Sequence, residues 1–165
     1  MTLSRRDTLK LTTGAAAACL LPAHVVAAPA PPVLQTRLIP RSGENLPVIG
    51  IGTSEVFNVG SDPAERNPRR QVLDAMIAGG AKVIDTAPSY ARAEAVVGEL
   101  IDERKLRDKF FIATKVGVKD AASQQDELTR SLGVLRTSQV DLMQLHNVRG
   151  ANTSLAFLRE FQQAG

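Results

Sequence analysis

The strongest constraint on the fold of this chain is a repeated alternation between two kinds of apolar pattern. Short apolar runs, typical of buried strands, are followed by longer segments whose apolar residues recur at helical spacing. Strands are predicted at Val48–Thr53, Ala81–Asp85, Phe110–Thr114 and Val140–Leu145, and helices at Pro68–Gly79, Arg92–Leu106, Ala122–Leu135 and from Asn152 onward. Because most connections are short, this order predicts an α/β fold with a parallel sheet and about four βα units.

The helical spacing also predicts which side chains face the core. The third strand is apolar almost throughout, which is typical of a strand buried on both faces. Gly79-Gly80 marks a helix end, and Asn152, Thr153 and Ser154 are candidate helix N-caps. The residues expected to face the core are Val72, Ala75 and Met76, flanked by Leu73 and Ile77; Val96, Val97, Leu100 and Ile101; Leu128, Leu132 and Leu135; and Leu155, Leu158 and Phe161.

A β-hairpin is predicted ahead of the first parallel strand. Leu34–Pro40 and Leu46–Ile49 flank the turn 41–45, in which Gly43 and Asn45 are able to take a positive φ. The two glycines in the following strand, Gly50 and Gly52, would let another backbone or a ligand approach closely.

Residues 1–27 resemble a signal peptide of the twin-arginine (Tat) type. Arg5-Arg6 precedes a weakly apolar run that is too short to form a stable membrane anchor. A Pro-rich spacer is predicted at 28–33 and the folded domain at 34–165. Export to the periplasm through the Tat machinery is expected. The alternative is a disordered tail that contains an arginine pair by chance.

The net charge and the small number of cysteines and histidines argue against several classes of function. Most of the formal net charge of +3 comes from the leader, so the remainder gives no sign of nucleic-acid binding. The one cysteine, Cys19, also lies in the leader, and His146 is the only histidine after it. We therefore expect no metal site. No P-loop, complete dinucleotide fingerprint or nucleophile elbow is present.

Reactive side chains end three consecutive strands of the predicted sheet. Asp85 follows the second strand, Lys115 the third and His146 the fourth, while Tyr90 lies one loop beyond Asp85. The C-terminal ends of parallel strands meet at one edge of a sheet, so all four side chains are predicted to share a site.

Together these four groups suit a site that polarises a carbonyl and donates a proton to it. A phenol such as Tyr90 is a weak acid, and a neighbouring Lys115 would favour its ionised form. Asp85 would hold Lys115 and keep it charged, and His146 would hydrogen-bond a substrate oxygen. Each residue also has an ordinary alternative: a loop cap, a solvated lysine, a surface ring or a structural histidine.

The same residues fall within longer motifs that resemble those of the aldo/keto reductases. The resemblance runs from about Thr36 to the C-terminus and keeps the order of the family's motifs. The matching segments are Leu46–Thr53, Asp85–Tyr90, Ala93-Glu94 with Val97-Gly98, Thr114-Lys115 and Asp141–His146. The resemblance implies a TIM-type (β/α) barrel, closed at its base by the N-terminal hairpin, that uses NADPH to reduce aldehydes and ketones.

The resemblance also implies roles for individual positions. Tyr90 corresponds to the proton donor, Lys115 and Asp85 to the pair that tunes it, and His146 to the residue that orients the carbonyl. The positions expected to lie against the nicotinamide half of the cofactor are Gly52, Thr53, Ser54 and Asp85.

Two features depart from the family pattern. Ala91 stands where the family usually has glycine. A complete barrel of this type needs about 250 residues, so the domain is expected to be an N-terminal half-barrel. A catalytically incompetent fragment, an assembly subunit and an exported ligand-binding module therefore remain alternatives. The open sheet edges predict self-association.

Overall fold

The structure, a computed structural model, describes residues 33–117, 120–148 and 151–164. The predicted signal peptide, and the predicted spacer apart from Val33, lie outside the described residues. The described chain begins with an antiparallel hairpin, β1 (Thr36–Leu38) and β2 (Asn45–Pro47), as the sequence predicts. Gly43 takes a φ of 73° in its turn, whereas Asn45 begins β2 and does not adopt the left-handed conformation.

Four parallel strands form the central sheet. They are β3 (Gly50–Gly52), β4 (Val83–Asp85), β5 (Phe111–Val116) and β6 (Leu142–Leu145), in the order β3-β4-β5-β6. The helices that follow them are α1 (Pro63–Gly79), α2 (Ala93–Glu103), α3 (Ala121–Val134) and α4 (Ala151–Ala164), with short 3-10 turns at Arg107–Lys109 and His146–Val148. The predicted alternation of strand and helix is confirmed, and it leaves all four strand C-termini at one edge.

The core lies between α2, α1 and the sheet. From α2 it includes Ala93 and the predicted set Val96, Val97, Leu100 and Ile101, all buried. Five of the six residues of β5 are also buried, which confirms that this strand is covered on both faces. Gly50 packs so closely on its neighbour that a Cβ placed there would lie 2.6 Å from the Cβ of Val83. The first glycine of the pair therefore serves backbone packing.

The first helix begins earlier than the sequence suggests. It starts at Pro63 rather than Pro68, and the Asp62 carboxylate accepts a hydrogen bond from the Ala64 N–H as its N-cap. Pro63 occupies the first turn, where its missing N–H costs nothing, and Pro68 lies inside the helix. The buried apolar stripe is centred on Leu73 and Met76, and the predicted core residue Ala75 is exposed.

The last helix also differs from its prediction. It begins at Ala151, so the three candidate caps at 152–154 lie inside its first turn. Leu155, predicted to be buried, is 46% exposed, while Leu158 and Phe161 are half-buried. The main contacts of α4 are with α3 and β6, and Leu155 borders a groove that these elements line.

Two further helix ends lack a sequence signal. The predicted helices run to Leu106 and Leu135, but α2 ends at Glu103 and α3 at Val134. The chain turns left-handed soon after each end, at Lys105 with a φ of 54° and at Arg136 with a φ of 52°. Glycine usually marks such positions, as Gly80 does after α1, so non-glycine residues hide these boundaries.

Candidate active site

The four predicted site residues lie at neighbouring strand ends. Asp85 is the last residue of β4, and His146 directly follows β6. Tyr90 lies in the loop between β4 and α2. Lys115 is inside β5 rather than after it, because β5 continues past the predicted end at Thr114 to Val116. Its side chain still points towards Asp85 and Tyr90.

Lys115 and Asp85 form a tightly held ion pair. The Lys115 Nζ lies 2.7 Å from both carboxylate oxygens of Asp85 and donates to the Thr86 carbonyl at 2.8 Å. Three acceptors match the three N–H bonds of an ammonium group. Since the Lys115 side chain is only 12% exposed, this network fixes the position of its ammonium group.

Tyr90 and His146 complete the cluster. The Lys115 Nζ lies 5.2 Å from the centroid of the Tyr90 ring, which is within the range of a cation–π contact. The Tyr90 and His146 ring centroids are 5.9 Å apart with an interplanar angle of 90°. The predicted convergence of these four side chains is therefore present, while their catalytic roles stay predictions.

Backbone hydrogen bonds position the loop that carries Tyr90. The Tyr90 N–H donates to the Ala87 carbonyl at 3.0 Å, and the Tyr90 carbonyl accepts from the Ala93 N–H at 2.9 Å. Between these contacts Ala91 adopts a φ of 48°. The position where the family usually has glycine is thus left-handed here, and alanine carries the steric cost.

Asp141 makes the contacts that hold the start of β6 against β5. Its carboxylate Oδ2 accepts from the Ile112 N–H and from Arg107, each at 2.8 Å. Its own N–H donates to the Ile112 carbonyl at 3.0 Å. These contacts anchor β6 to β5 near its start, so the residues at its far end are held in a defined position.

The predicted cofactor positions surround the end of β3. Gly52 pairs in register with Asp85, and a Cβ placed on it would meet no atom within 4 Å. Thr53 is fully buried, and its N–H and hydroxyl both donate to the Asp85 carbonyl at 3.0 Å. Ser54 is exposed. Gly52 and Ser54 therefore border open space, while Thr53 supports the backbone of Asp85; cofactor contact by these residues stays a prediction.

Two contacts in the cluster involve residues to which the sequence analysis assigned no role. Gln144 donates from Nε2 to the Asp85 Oδ1 at 3.0 Å, and the Ser89 Oγ lies 3.3 Å from the His146 Nδ1. Neither contact has a signal in the sequence. Gln144 reaches Asp85 because it is the register partner of Lys115 on the neighbouring strand, and the Ser89 contact depends on the path of a loop.

A buried carboxylate lies behind the ion pair. Glu94 is 4% exposed, and its two oxygens accept from the hydroxyls of Thr114, at 2.6 Å, and Ser131, at 3.2 Å. Burial raises the pKa of Glu94, and the two hydroxyl hydrogen bonds oppose that rise. Glu94 links α2 to β5 and α3, which explains why a charged residue lies at this point of the core.

Across residues 33–117, 120–148 and 151–164, no group of three or more His, Cys, Asp or Glu side chains is placed to hold a metal ion. Within the same ranges, no helix combines the length and apolar character that a membrane crossing requires.

Known proteins of one family are similar to this chain in sequence and in fold. The sequence profile of the aldo/keto reductase family matches residues 48–165. Methylglyoxal reductase YeaE from Escherichia coli is 37% identical over 118 residues, which cover 68% of this chain and 40% of that protein. An aldo-keto reductase from Mycobacterium sp. (strain MCS) is 33% identical over 107 residues, covering 63% of this chain and 35% of that protein.

Solved structures give the same result for the fold. An aldo/keto reductase from Klebsiella pneumoniae, in complex with NADP and acetate, superposes with a TM-score of 0.57 at 36% identity, over 69% of this chain and 40% of that one. Glycerol dehydrogenase from Gluconobacter oxydans superposes with a TM-score of 0.65 at 26% identity, over 79% and 46% respectively. This chain thus spans less than half the length of these relatives. Its sheet is part of a TIM-type (β/α) barrel, and the chain belongs to the aldo/keto reductase family.

Proposed function

We propose that this chain carries the carbonyl-reducing site of an NADPH-dependent oxidoreductase. It would reduce small aldehydes or ketones to alcohols, with Tyr90 as the proton donor. The observation that carries this proposal is the position of the Lys115 ammonium group. Both oxygens of Asp85 and the Thr86 carbonyl hold it, and its Nζ lies 5.2 Å from the centroid of the Tyr90 ring. This arrangement places a cation beside the Tyr90 ring, where it would stabilise the phenolate that remains after the proton is given up.

The chain's own residues account for the proton and for the orientation of the substrate. NADPH, when bound, supplies the hydride that reduces the carbonyl carbon. The Tyr90 hydroxyl gives its proton to the carbonyl oxygen, and Lys115 stabilises the negative charge that remains on the phenol oxygen. Asp85 holds Lys115 in place, and His146 donates a hydrogen bond that orients the carbonyl oxygen.

The residues at the end of β3 fit the nicotinamide end of such a cofactor. The absence of any atom within 4 Å of a Cβ placed on Gly52 leaves room for a flat ring next to Asp85. The exposed Ser54 hydroxyl borders the same space. The NADP complex of the Klebsiella pneumoniae relative supports the choice of cofactor class.

The test is NADPH oxidation with a simple aldehyde, followed by absorbance. Tyr90→Phe keeps the ring and removes the proton, so we expect the rate to fall by about 100- to 10,000-fold. Thr129→Val is the matched control, because it removes an exposed hydroxyl on α3 that bonds within its own helix. Equal rates for folded wild-type and Tyr90→Phe proteins would overturn the proposal.

One observation favours a second candidate, a non-catalytic half-barrel or assembly subunit. The chain covers only 40% of the E. coli relative and 46% of the Gluconobacter oxydans structure. The two candidates differ in cofactor binding, which the enhancement of NADPH fluorescence measures directly. Tight binding by residues 28–165 supports the reductase, and no binding by the folded chain supports the subunit.

We also propose that residues 1–27 direct export to the periplasm through the Tat machinery. The support is the Arg5-Arg6 pair ahead of a short, weakly apolar run. Replacing both arginines by lysine keeps the charge but removes the pair. We expect the variant to remain in the cytoplasmic fraction of a bacterium whose wild-type chain reaches the periplasm. Equal export of both forms would argue for a tail without a targeting role.

Finally, we propose that two copies of this chain associate through their sheet edges. Among the described residues, β3 and β6 each pair on one side only. A groove of about 540 Å³ runs along β6, and its apolar lining includes Leu128, Leu132, Met143, Leu155, Leu158 and Phe161. If β6 of each copy paired with β3 of the other copy, the two sheets would continue the parallel strand order around a closed barrel.

A further inference from the structure

Ser89 and His146 form a contact between two different strand ends. The Ser89 Oγ lies 3.3 Å from the His146 Nδ1, although 57 residues separate them in the chain. Ser89 belongs to the β4–α2 loop and His146 to the turn that follows β6. Both residues line a small cleft of about 320 Å³, together with Gly117 and Asn147. The contact therefore lies at the mouth of the site and joins the Tyr90 loop to the histidine.

The direction of this hydrogen bond decides what the other imidazole nitrogen can do. A neutral imidazole carries one N–H and one bare nitrogen, and a serine hydroxyl can donate or accept. If Ser89 donates to Nδ1, the ring proton lies on Nε2. If Ser89 accepts from Nδ1, Nε2 is bare and cannot donate to anything.

A carbonyl oxygen only accepts hydrogen bonds, so it discriminates between these two states. We propose that Ser89 is a positioning residue that donates its hydroxyl hydrogen to the His146 Nδ1. Because Nδ1 then accepts the Ser89 hydrogen bond, the ring proton of His146 stays on Nε2. The Nε2–H in turn donates to the substrate carbonyl and orients it. This inference rests on the proposed function, because the carbonyl substrate is what requires an Nε2–H donor at this site. It also accounts for the edge-on packing of His146 against Tyr90, since the Ser89 contact restricts rotation of the imidazole ring.

Nitrogen NMR of the imidazole ring measures this arrangement directly. The sequence holds only two histidines, so a His24→Gln background leaves His146 as the sole signal. At about pH 8, we expect the ¹⁵N spectrum to show a proton on Nε2 and a hydrogen-bonded Nδ1. Ser89→Ala should shift the Nδ1 resonance towards the value of an unbonded nitrogen, and Ser89→Thr, which keeps a hydroxyl, should restore it.

Kinetics provide a second readout that can fail separately. Loss of the Ser89 hydrogen bond should lower kcat/KM for the aldehyde about three- to tenfold, with the KM for NADPH unchanged. Ser89→Thr should recover most of this loss. A proton found on Nδ1 in the wild-type protein, or ring resonances that Ser89→Ala leaves unchanged, would overturn the positioning role. If Tyr90→Phe leaves the rate unchanged while the resonances shift as expected, the reductase proposal fails and only the Ser89 contact is supported.

Discussion

At the scale of single residues, Ala91 is one of the positions near the site that depart from low-energy backbone geometry. Its φ of 48° is left-handed, and a Cβ in that conformation crowds the following carbonyl. Ala91→Gly removes the crowding but gives the unfolded chain more freedom. We expect the free energy of unfolding to rise by about 0.5–1 kcal/mol, measured by urea denaturation.

The exposed Ala75 on α1 is a matched control for Ala91. The same Ala→Gly change in a helical conformation should lower the free energy of unfolding by about 1 kcal/mol. Opposite signs for the two variants support local strain at Ala91. A loss of stability at both positions would show that Ala91 is unstrained.

Glu94 predicts a pH dependence of stability. Because burial raises its pKa in the folded protein, the folded state binds a proton more tightly than the unfolded state does. The stabilisation linked to Glu94 is therefore full below its ordinary pKa and is lost as the pH rises through the raised value. Glu94→Gln should flatten this decline in urea denaturation curves collected over a pH series.

The exposed carboxylate of Glu55 provides the comparison for Glu94. Glu55→Gln should leave the shape of the stability–pH curve unchanged. If Glu94→Gln follows the wild-type curve as closely as Glu55→Gln does, the buried carboxyl does not control the pH dependence.

At the scale of secondary-structure elements, the α2–α3 packing depends on one glycine. A Cβ placed on Gly98 would clash with the Val134 carbonyl oxygen and lie 2.5 Å from the Leu135 Cα. Both are backbone atoms, so rotation of a side chain cannot relieve the clash. Gly98→Ala should lower the free energy of unfolding by about 2 kcal/mol or more, measured by chemical denaturation.

Gly133 allows the same substitution on the partner helix without a clash. A Cβ placed there meets no atom within 4 Å, and the residue lies within α3. Gly133→Ala should raise stability by up to about 1 kcal/mol, because alanine has the higher helix propensity. Equal and small effects of the two substitutions would contradict the close packing of α2 against α3.

The elements themselves were predictable to different degrees. The four strands and four helices were found because periodic apolar patterns report directly on burial. Their boundaries were less accessible, since Asp62-Pro63 and Pro68 both suit a helix start and only the first is used. The predicted ends of α2 and α3 lie beyond the observed ones, because Lys105 and Arg136 adopt a left-handed conformation that their side chains do not favour.

At the scale of the whole molecule, the sheet edges dominate the expected behaviour. Leu142 on the edge strand β6 is 44% exposed, and Leu155 beside the same groove is 46% exposed. Unpaired parallel edges with apolar side chains favour association. We expect residues 28–165 to form dimers in analytical ultracentrifugation, with a monomer fraction that increases on dilution.

A charge introduced on the edge strand distinguishes specific strand pairing from non-specific hydrophobic association. Leu142→Lys should shift the equilibrium towards monomer, because burial of an unpaired lysine at the interface is costly. Val33→Lys is the control, since Val33 is 94% exposed and lies ahead of the hairpin. A wild-type chain that remains monomeric at every concentration would contradict the dimer proposal.

The sequence alone determined the alternation of strands and helices, the parallel sheet and the identity of the four polar residues at its rim. Those features depend on local periodicity and on the rule that the C-termini of parallel strands meet at one edge. Both can be applied from the order of the residues alone. Only the tertiary structure decided the pairing of Ser89 with His146, the hydrogen bond from Gln144 to Asp85 and the left-handed turn at Ala91. These contacts depend on the path of loops and the register of neighbouring strands, which packing of the whole sheet selects.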